Sequence, residues 1–143
     1  ISYHTLDAYG FHALEMVQCL AERRKGGETG VRAVQCLTGE EVWKDGLYDR
    51  KLLDAAFRRQ KGSPELDEKA RKSVKEPVLF RIEYADGLRA SVLTLNHAAR
   101  EWAVAWRTKS REEKSTRFIT QGARPLMHFT RLLGGVGTMI RSH

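Results

Sequence analysis

The chain has 143 residues and carries 25 lysines and arginines against 18 aspartates and glutamates, which gives a net charge of +7. One domain covering residues 1–143 suits this length, and a composition of 41% hydrophobic and 30% charged residues excludes disordered and fibrous proteins. No apolar run approaches the roughly 20 residues that a transmembrane helix needs, and no secretory signal opens the sequence. Because the sequence begins with Ile1 instead of methionine, we expect it to be part of a longer chain.

Two cysteines, Cys19 and Cys36, lie in apolar runs, where a free cysteine behaves as a small hydrophobic residue. Two are too few for a disulfide framework or a four-cysteine zinc site. We therefore predict buried structural thiols and a reducing, cytoplasmic location.

The first half of the sequence alternates helical and extended patterns. Apolar residues at steps of three and four predict a helix over 5–25, which Gly26 ends. A β-branched run predicts a strand over 31–37, and 39–48 has no clear period. Asp49 is the predicted N-cap of a second helix.

A proline and a nearly continuous charged stretch follow this second helix. Gly62-Ser63-Pro64 is expected to end it, and residues 65–76 are predicted to form a solvated loop or a frayed helical turn.

In the second half the period changes to two, which is typical of strands with one buried face. Residues 78–84 and 88–94 predict a hairpin around the turn residues Asp86-Gly87. Residues 102–107 predict a third strand, and 115–120 a fourth strand of the same antiparallel sheet.

A closing helix is predicted from Pro125, with an apolar face that runs to Ile140. The sum of the elements predicts an α+β fold, in two layers, with a mainly antiparallel β-sheet and helices packed on one face.

Well-known catalytic and nucleotide-binding motifs are missing from the sequence. It contains no phosphate-binding P-loop, no Gly-x-Gly-x-x-Gly after a strand, no nucleophile elbow and no His-Glu-x-x-His helix. We therefore expect no cofactor to bind to this chain itself.

The most suggestive local feature is the pair His12 and Glu15 on the first helix. Residues three apart share a helix face, so His12 is a candidate catalytic acid or base and Glu15 its supporting partner. The alternative interpretation is a half-buried histidine that simply pairs with the glutamate of its own helix. Tyr9, one turn earlier, and His97, which follows the hairpin, are candidate substrate-binding residues.

The histidines His4, His12, His97 and His128 have no metal-ligand spacing, so no metal site is predicted. His128 falls on the more polar side of the predicted closing helix.

The basic excess raises the alternative of nucleic-acid binding, since clustered lysine and arginine contact phosphates. The basic residues are interleaved with acids, however, which favours solvated faces. Trp102 and Trp106 share a strand face, where they could stack bases, but a core or interface is the favoured interpretation.

The order of motifs resembles a known family. Residues 7–15, DAYGFHALE, followed by a helix, a glycine-containing turn and a valine-rich strand, are similar to the start of the C-terminal domain of the glucose-fructose oxidoreductase and inositol dehydrogenase family (Gfo/Idh/MocA). That helix carries Asp-x-Gly-x-His-x-x-Asp in the family, and Gly10, His12 and Glu15 match its glycine, histidine and last acid. Residues 77–90 are similar to the family's hairpin. Ala8 stands where the family has its first aspartate.

The resemblance implies the C-terminal substrate-binding and oligomerisation domain of an uncharacterised oxidoreductase-like protein that acts on a sugar or polyol. It implies that His12 handles a proton or binds substrate, and that Trp102 and Trp106 belong to the sheet face used in a homo-oligomer. The family's nucleotide-binding domain and catalytic lysine are not part of this sequence. NAD or NADP is therefore expected only where such a domain exists in the parent protein, and this fragment alone is expected to be inactive.

Two alternatives remain from the sequence: a small basic binding module for nucleic acid or an acidic protein, and a non-catalytic scaffold domain. A continuous positive face would favour the binding module, whereas a flat apolar sheet face would favour the oxidoreductase interpretation.

Overall fold

The structure is a computed structural model that describes residues 1–60, 62 and 65–118. The predicted closing helix and its residue His128 lie outside the described residues, as does the stop at Ser63-Pro64. Among the described residues the helices are α1 (Leu6–Glu22), α2 (Arg50–Phe57) and α3 (Glu68–Ser73), and a short 3₁₀ helix covers Gly39–Trp43. The strands are β1 (Val31–Thr38), β2 (Val78–Tyr84), β3 (Arg89–Thr94), β4 (Trp102–Arg107) and β5 (Glu113–Phe118).

The fold class is α+β with antiparallel sheets and helices packed against them, as the sequence predicts. The prediction that the helices lie on one face is wrong, because α1 and α2 pack against opposite faces of the first sheet. The predicted single sheet is replaced by two. Among the described strands, one sheet has the order β1-β2-β3, and β4 pairs with β5 in a second sheet. In this set β1 is an edge strand next to β2, with Val34 opposite Ile82 and Cys36 opposite Phe80.

Helix α1 forms because its apolar residues recur on one face, and arginines complete its C-terminal end. The Arg24 side chain donates to the carbonyl oxygen of Ala21 at 3.0 Å, and Arg23 donates to that of Cys19 at 3.0 Å. These bonds satisfy carbonyl groups that have no partner inside the helix. Arg24 also forms an ion pair with Asp86 at 2.6 Å, which ties the end of α1 to the β2–β3 turn.

The predicted hairpin is confirmed. Asp86 accepts a hydrogen bond from the Leu88 amide at 3.1 Å, and Gly87 has a positive φ of 84°. Glycine adopts that backbone conformation without steric cost.

Two apolar clusters hold the described elements together. The larger cluster joins α2 to one face of the first sheet and includes Phe57, Leu79, Leu93, Leu95 and Ala103. The smaller cluster lies on the opposite face, where Ala21 and Leu14 of α1 pack on Ile82 and Tyr84. Strand β4 contributes Ala103 to the larger cluster. The adjacent residue Trp102 points to the opposite side of the strand and contacts Tyr9 of α1.

The connecting segments differ in part from the predictions. Residues 39–43, for which the sequence predicts irregular chain, form the 3₁₀ helix. The charged stretch contains α3, which agrees with the helical-turn alternative. The last described strand begins at Glu113, two residues earlier than predicted. The prediction that both cysteines are buried is wrong: Cys19 is half-buried and Cys36 is exposed, because β1 is at the edge of its sheet.

Candidate functional site

His12 and Glu15 are in direct contact on the exposed side of α1. The His12 Nδ1 atom lies 3.0 Å from Glu15 Oε2, and the two side chains are 48% and 54% exposed. An ionised carboxylate only accepts hydrogen bonds, so it selects the tautomer with the proton on Nδ1. In that tautomer Nε2 is the hydrogen-bond acceptor of the ring.

Beneath the histidine lies an aromatic cluster, which we define as Tyr3, Tyr9 and Trp102. The ring centroids of Tyr9 lie 5.0 Å from Tyr3 and 5.2 Å from Trp102. The His12 ring meets this cluster at Trp102, with 6.1 Å between centroids. Burial and the neighbouring Tyr9 raise the pKa of Tyr3, so its hydroxyl group stays protonated at neutral pH.

The aromatic cluster is anchored by a buried hydrogen bond. Trp102 Nε1 donates to Ser2 Oγ at 2.9 Å, and Trp102 is only 7% exposed. An indole N–H in a buried position needs such an acceptor. The cluster is thus a rigid support that holds the first turns of α1, and with them His12, in place.

Phe11 extends from α1 beside the histidine. Its ring centroid lies 6.0 Å from that of His12, and the residue is 70% exposed. Because the Phe11 ring is exposed to solvent, it offers an apolar contact to a ligand.

A cleft of about 560 Å³ runs from Phe11 and Glu15 along the groove between α1 and the first sheet. Its helical wall carries Gln18 and Glu22, and the Tyr84 hydroxyl donates to Gln18 Oε1 at 3.1 Å. Its sheet side is apolar and includes Val31, Val34, Phe80 and Ile82. This volume is within the range of small-molecule sites. Acceptor groups line one wall and hydrophobic groups the other.

The structure brings some of the predicted site residues together and separates others. Tyr9 lies in the aromatic cluster, 6.1 Å from His12 between ring centroids. His97 is exposed in the turn after β3, and no hydrogen bond, ion pair or ring contact in the described part joins it to His12. Trp106 is half-buried on β4 and Trp102 is covered by tyrosines of its own chain.

Sequence reasoning missed Tyr3, Phe11 and the cleft. Phe11 is adjacent to His12 in the sequence, and an apolar residue on an otherwise polar side of α1 is the signal that could have identified it as a binding residue. Tyr3 had no local clue, because its contact with Trp102 joins segments about a hundred residues apart.

A second groove, of about 620 Å³, lies at the start of α2 and the turn after β4. Arg107 binds Asp49 at 2.9 Å and Glu113 at 2.6 Å there. Hydrogen bonds from Arg107 to Glu113 and Asp49 raise the pKa of the guanidinium group. Both carboxylates of this groove are therefore paired with Arg107, and Arg50, Lys51 and Arg111 also line it.

Basic side chains elsewhere also alternate with acidic ones. In the described part of the chain, ion pairs join the following basic residues to carboxylates: Arg24, Arg32, Lys44, Arg50, Lys72, Lys114 and Arg117. Such pairing does not favour the continuous positive face that a nucleic-acid interface needs.

Within residues 1–60, 62 and 65–118, no three His, Cys, Asp or Glu side chains converge as metal ligands. The described helices include none that is both long and apolar enough to cross a membrane.

Comparison with known proteins adds no assignment: no family model matches the sequence, and no curated protein or solved structure matches it.

Proposed function

We propose that the chain is the substrate-binding and oligomerisation domain of an NAD(P)-dependent oxidoreductase, and that its ligand is a sugar or polyol. The observation that carries the proposal is the 3.0 Å contact between His12 Nδ1 and Glu15 Oε2 at the mouth of the cleft. A histidine oriented by a carboxylate through one ring nitrogen has the arrangement of a general base, and the neighbours of His12, Phe11 and Glu15, line the cleft.

The cleft chemistry fits a polyhydroxylated ligand. Glu15, Gln18 and Glu22 offer oxygen atoms that accept hydrogen bonds from hydroxyl groups. Phe11 and Val34 are exposed and can contact the C–H side of the same molecule. The His12 Nε2 atom would then accept the proton of one hydroxyl group. Oxidation of that carbon also needs a hydride acceptor, which a nicotinamide cofactor held outside the described residues would supply.

The described residues do not fit a dinucleotide. None of the strands β1 to β5 runs into a glycine-rich loop and a helix N-terminus of the type that binds pyrophosphate. Residues of the parent protein outside this sequence would have to hold the nicotinamide cofactor, and we derive no step through it. What this chain supplies is ligand binding, orientation and the proton acceptor.

The proposal is tested by titrating the chain with myo-inositol and D-glucose while recording backbone amide and imidazole NMR resonances. We expect the resonances of Phe11, His12 and Glu15 to shift, with a dissociation constant of about 1 mM or tighter. The variant His12→Gln should lose most of this response. The matched control His97→Gln should keep it, because His97 lies in the turn after β3 and no hydrogen bond or ring contact in the described part joins it to His12.

The role of Glu15 has a separate readout. In Glu15→Gln, the population of the Nδ1-protonated tautomer of His12 should fall, which the ring ¹⁵N shifts report directly. Unchanged spectra across a panel of sugars and polyols would overturn the ligand assignment, and an unchanged tautomer in Glu15→Gln would overturn the role of Glu15.

A further inference from the structure

Strand β1 is an exposed sheet edge. In the described part of the chain β2 is its one strand partner, and all of its residues except Leu37 are exposed. The outer backbone groups of such a strand form a template for pairing with another strand.

The hydrogen bonds between β1 and β2 identify which backbone groups of β1 point away from β2. The Gly39 amide donates to the carbonyl oxygen of Pro77 at 3.0 Å, so the backbone of Gly39 faces β2. Backbone groups alternate in direction along a strand. The amide and carbonyl groups of Val34, Cys36 and Thr38 therefore point away from β2.

One end of β1 carries the features that normally block edge pairing. The register shifts between Val31 and Ala33, and Arg32 lies 3.4 Å from Glu83 in an ion pair. Bulges and charged residues discourage a second strand. The following run, residues 33–38, has regular register with β2 and contains no charged residue, proline or glycine.

The exposed face of this run continues the cleft. Val34 and Cys36 lie opposite Ile82 and Phe80, on the sheet face that α1 only partly covers. Val34 is 59% exposed and lines the cleft. A strand added at this edge would lengthen the apolar floor of the cleft.

We propose that two copies of this chain pair antiparallel through their β1 strands, about a two-fold axis at Cys36. In this register Val34 of each copy lies opposite Thr38 of the other, and the two Cys36 residues lie opposite each other. The outward backbone groups of these three residues pair in both copies, which forms about six hydrogen bonds. A second copy fits this edge because the run is uncharged, so the symmetry places no like charges opposite one another. That each copy completes the other's cleft rests on the ligand binding of the proposed function, whereas the pairing itself does not.

A pairing of this length buries less surface than a standard protein interface. We therefore expect a dissociation constant in the micromolar range, and the experiments need protein concentrations of about 10 to 500 μM.

Thiol cross-linking tests the register. Residues directly opposite in a hydrogen-bonded antiparallel pair have Cα atoms about 5.5 Å apart, so a short bis-maleimide can join the two Cys36 thiols. The unmodified chain and Cys19→Ser should form a covalent dimer, and Cys36→Ser should not. A dimer that persists in Cys36→Ser, or a chain that stays monomeric throughout, overturns the proposed register.

Sedimentation velocity tests the pairing itself with two substitutions at one exposed position. Cys36→Ser should remain in the monomer–dimer equilibrium, whereas Cys36→Lys, which puts two ammonium groups face to face, should weaken it at least tenfold. Circular dichroism checks that both variants are folded. A monomeric parent chain, or equal association of the two variants, overturns the pairing.

The ligand titration is recorded on the same samples. Monomeric Cys36→Lys that still shows the His12 response means that only the contribution of the second copy to the cleft has failed. A dimer without any ligand response means that the ligand binding of the proposed function has failed and the pairing stands.

Discussion

At the scale of single residues, Asp49 shows how one side chain serves two elements. Its Oδ1 atom accepts a hydrogen bond from the Leu52 amide at 3.2 Å, which caps α2 as the sequence predicts. Its Oδ2 atom binds Arg107 of β4 at 2.9 Å. Partial burial opposes ionisation, but the hydrogen bonds from Leu52 and Arg107 outweigh it and lower the pKa of Asp49.

Substitution of Asp49 should separate these two contributions. We expect Asp49→Ala to lower the free energy of unfolding by about 0.5 to 2 kcal/mol, because the cap and the ion pair are both lost. Asp49→Asn should cost less, since an amide oxygen still caps the helix. Urea denaturation at pH 7 measures both.

The pH dependence follows from the lowered pKa of Asp49. A carboxyl group whose pKa is lower in the folded state stabilises the fold fully above its ordinary value of 3.8. That contribution is lost as the pH falls through the folded-state pKa. The stability difference between the parent chain and Asp49→Asn should therefore shrink below about pH 4. A difference that is constant into this acid range would contradict the assignment.

His12 and Glu15 are the part of the candidate site that sequence reasoning reached. Residues three apart on a helix are neighbours whatever surrounds the helix, so their contact could be predicted locally. That Glu15 lines a cleft could not be predicted, because the cleft depends on the distance of α1 from β1 and β2.

At the scale of elements, two glycines have opposite roles. Gly10 is buried in α1, and a Cβ atom there would come within 2.5 Å of Leu6 Cδ1, the end of a flexible side chain that is 37% exposed. Gly87 has a φ of 84° in the β2–β3 turn and has open space around it. At Gly10 the nearby Leu6 side chain limits the size of a substituted residue, whereas at Gly87 the positive φ limits which residue can adopt the backbone conformation.

We expect alanine substitutions at these glycines to change stability in opposite directions. Gly10→Ala should raise the free energy of unfolding by up to about 1 kcal/mol, because alanine favours the helix and Leu6 can rotate away. Gly87→Ala should lower it by about 1 to 2 kcal/mol, the cost of a left-handed conformation. Thermal unfolding of the two variants gives the signs, and a destabilised Gly10→Ala would show that Leu6 cannot move.

The strand patterns were sufficient for the hairpin but not for the sheets. An alternating pattern identifies a buried face, and Asp86-Gly87 connects two strands that are adjacent in sequence. Nothing in the pattern of 102–107 states its pairing partner. Among the described strands, the structure pairs it with β5 and not with the hairpin. The second neighbour of β2 is β1, which lies far earlier in the chain.

At the scale of the whole molecule, the larger apolar cluster provides the stability and the exposed side of α1 provides the site. Phe57 is 1% exposed and packs in this cluster with Leu79 of β2 and with Leu95, which follows β3. Phe11, 70% exposed, belongs to the mouth of the cleft. The two phenylalanines are therefore a matched pair for separating folding from binding.

Phe57→Ala should lower the free energy of unfolding by about 3 to 5 kcal/mol, because it leaves a cavity in the larger cluster. Phe11→Ala should change it by no more than about 0.5 kcal/mol, and should weaken binding of the polyol instead. Urea denaturation and the ligand titration supply the two readouts. A large loss of stability in Phe11→Ala would mean that its ring is a packing residue.

The sequence by itself determined the features whose residues are neighbours along the chain: the helical period of α1, the cap at Asp49, the β2–β3 hairpin and the approach of His12 to Glu15. These follow from steps of two, three and four residues, which act at short range. Only the tertiary structure decided the separation of the strands into two sheets, the exposure of Cys36 on the β1 edge, and the aromatic cluster that supports His12. Each of these depends on contacts between distant segments, as in the hydrogen bond from Trp102 to Ser2 across 100 positions, and no local pattern encodes which distant partner a residue meets.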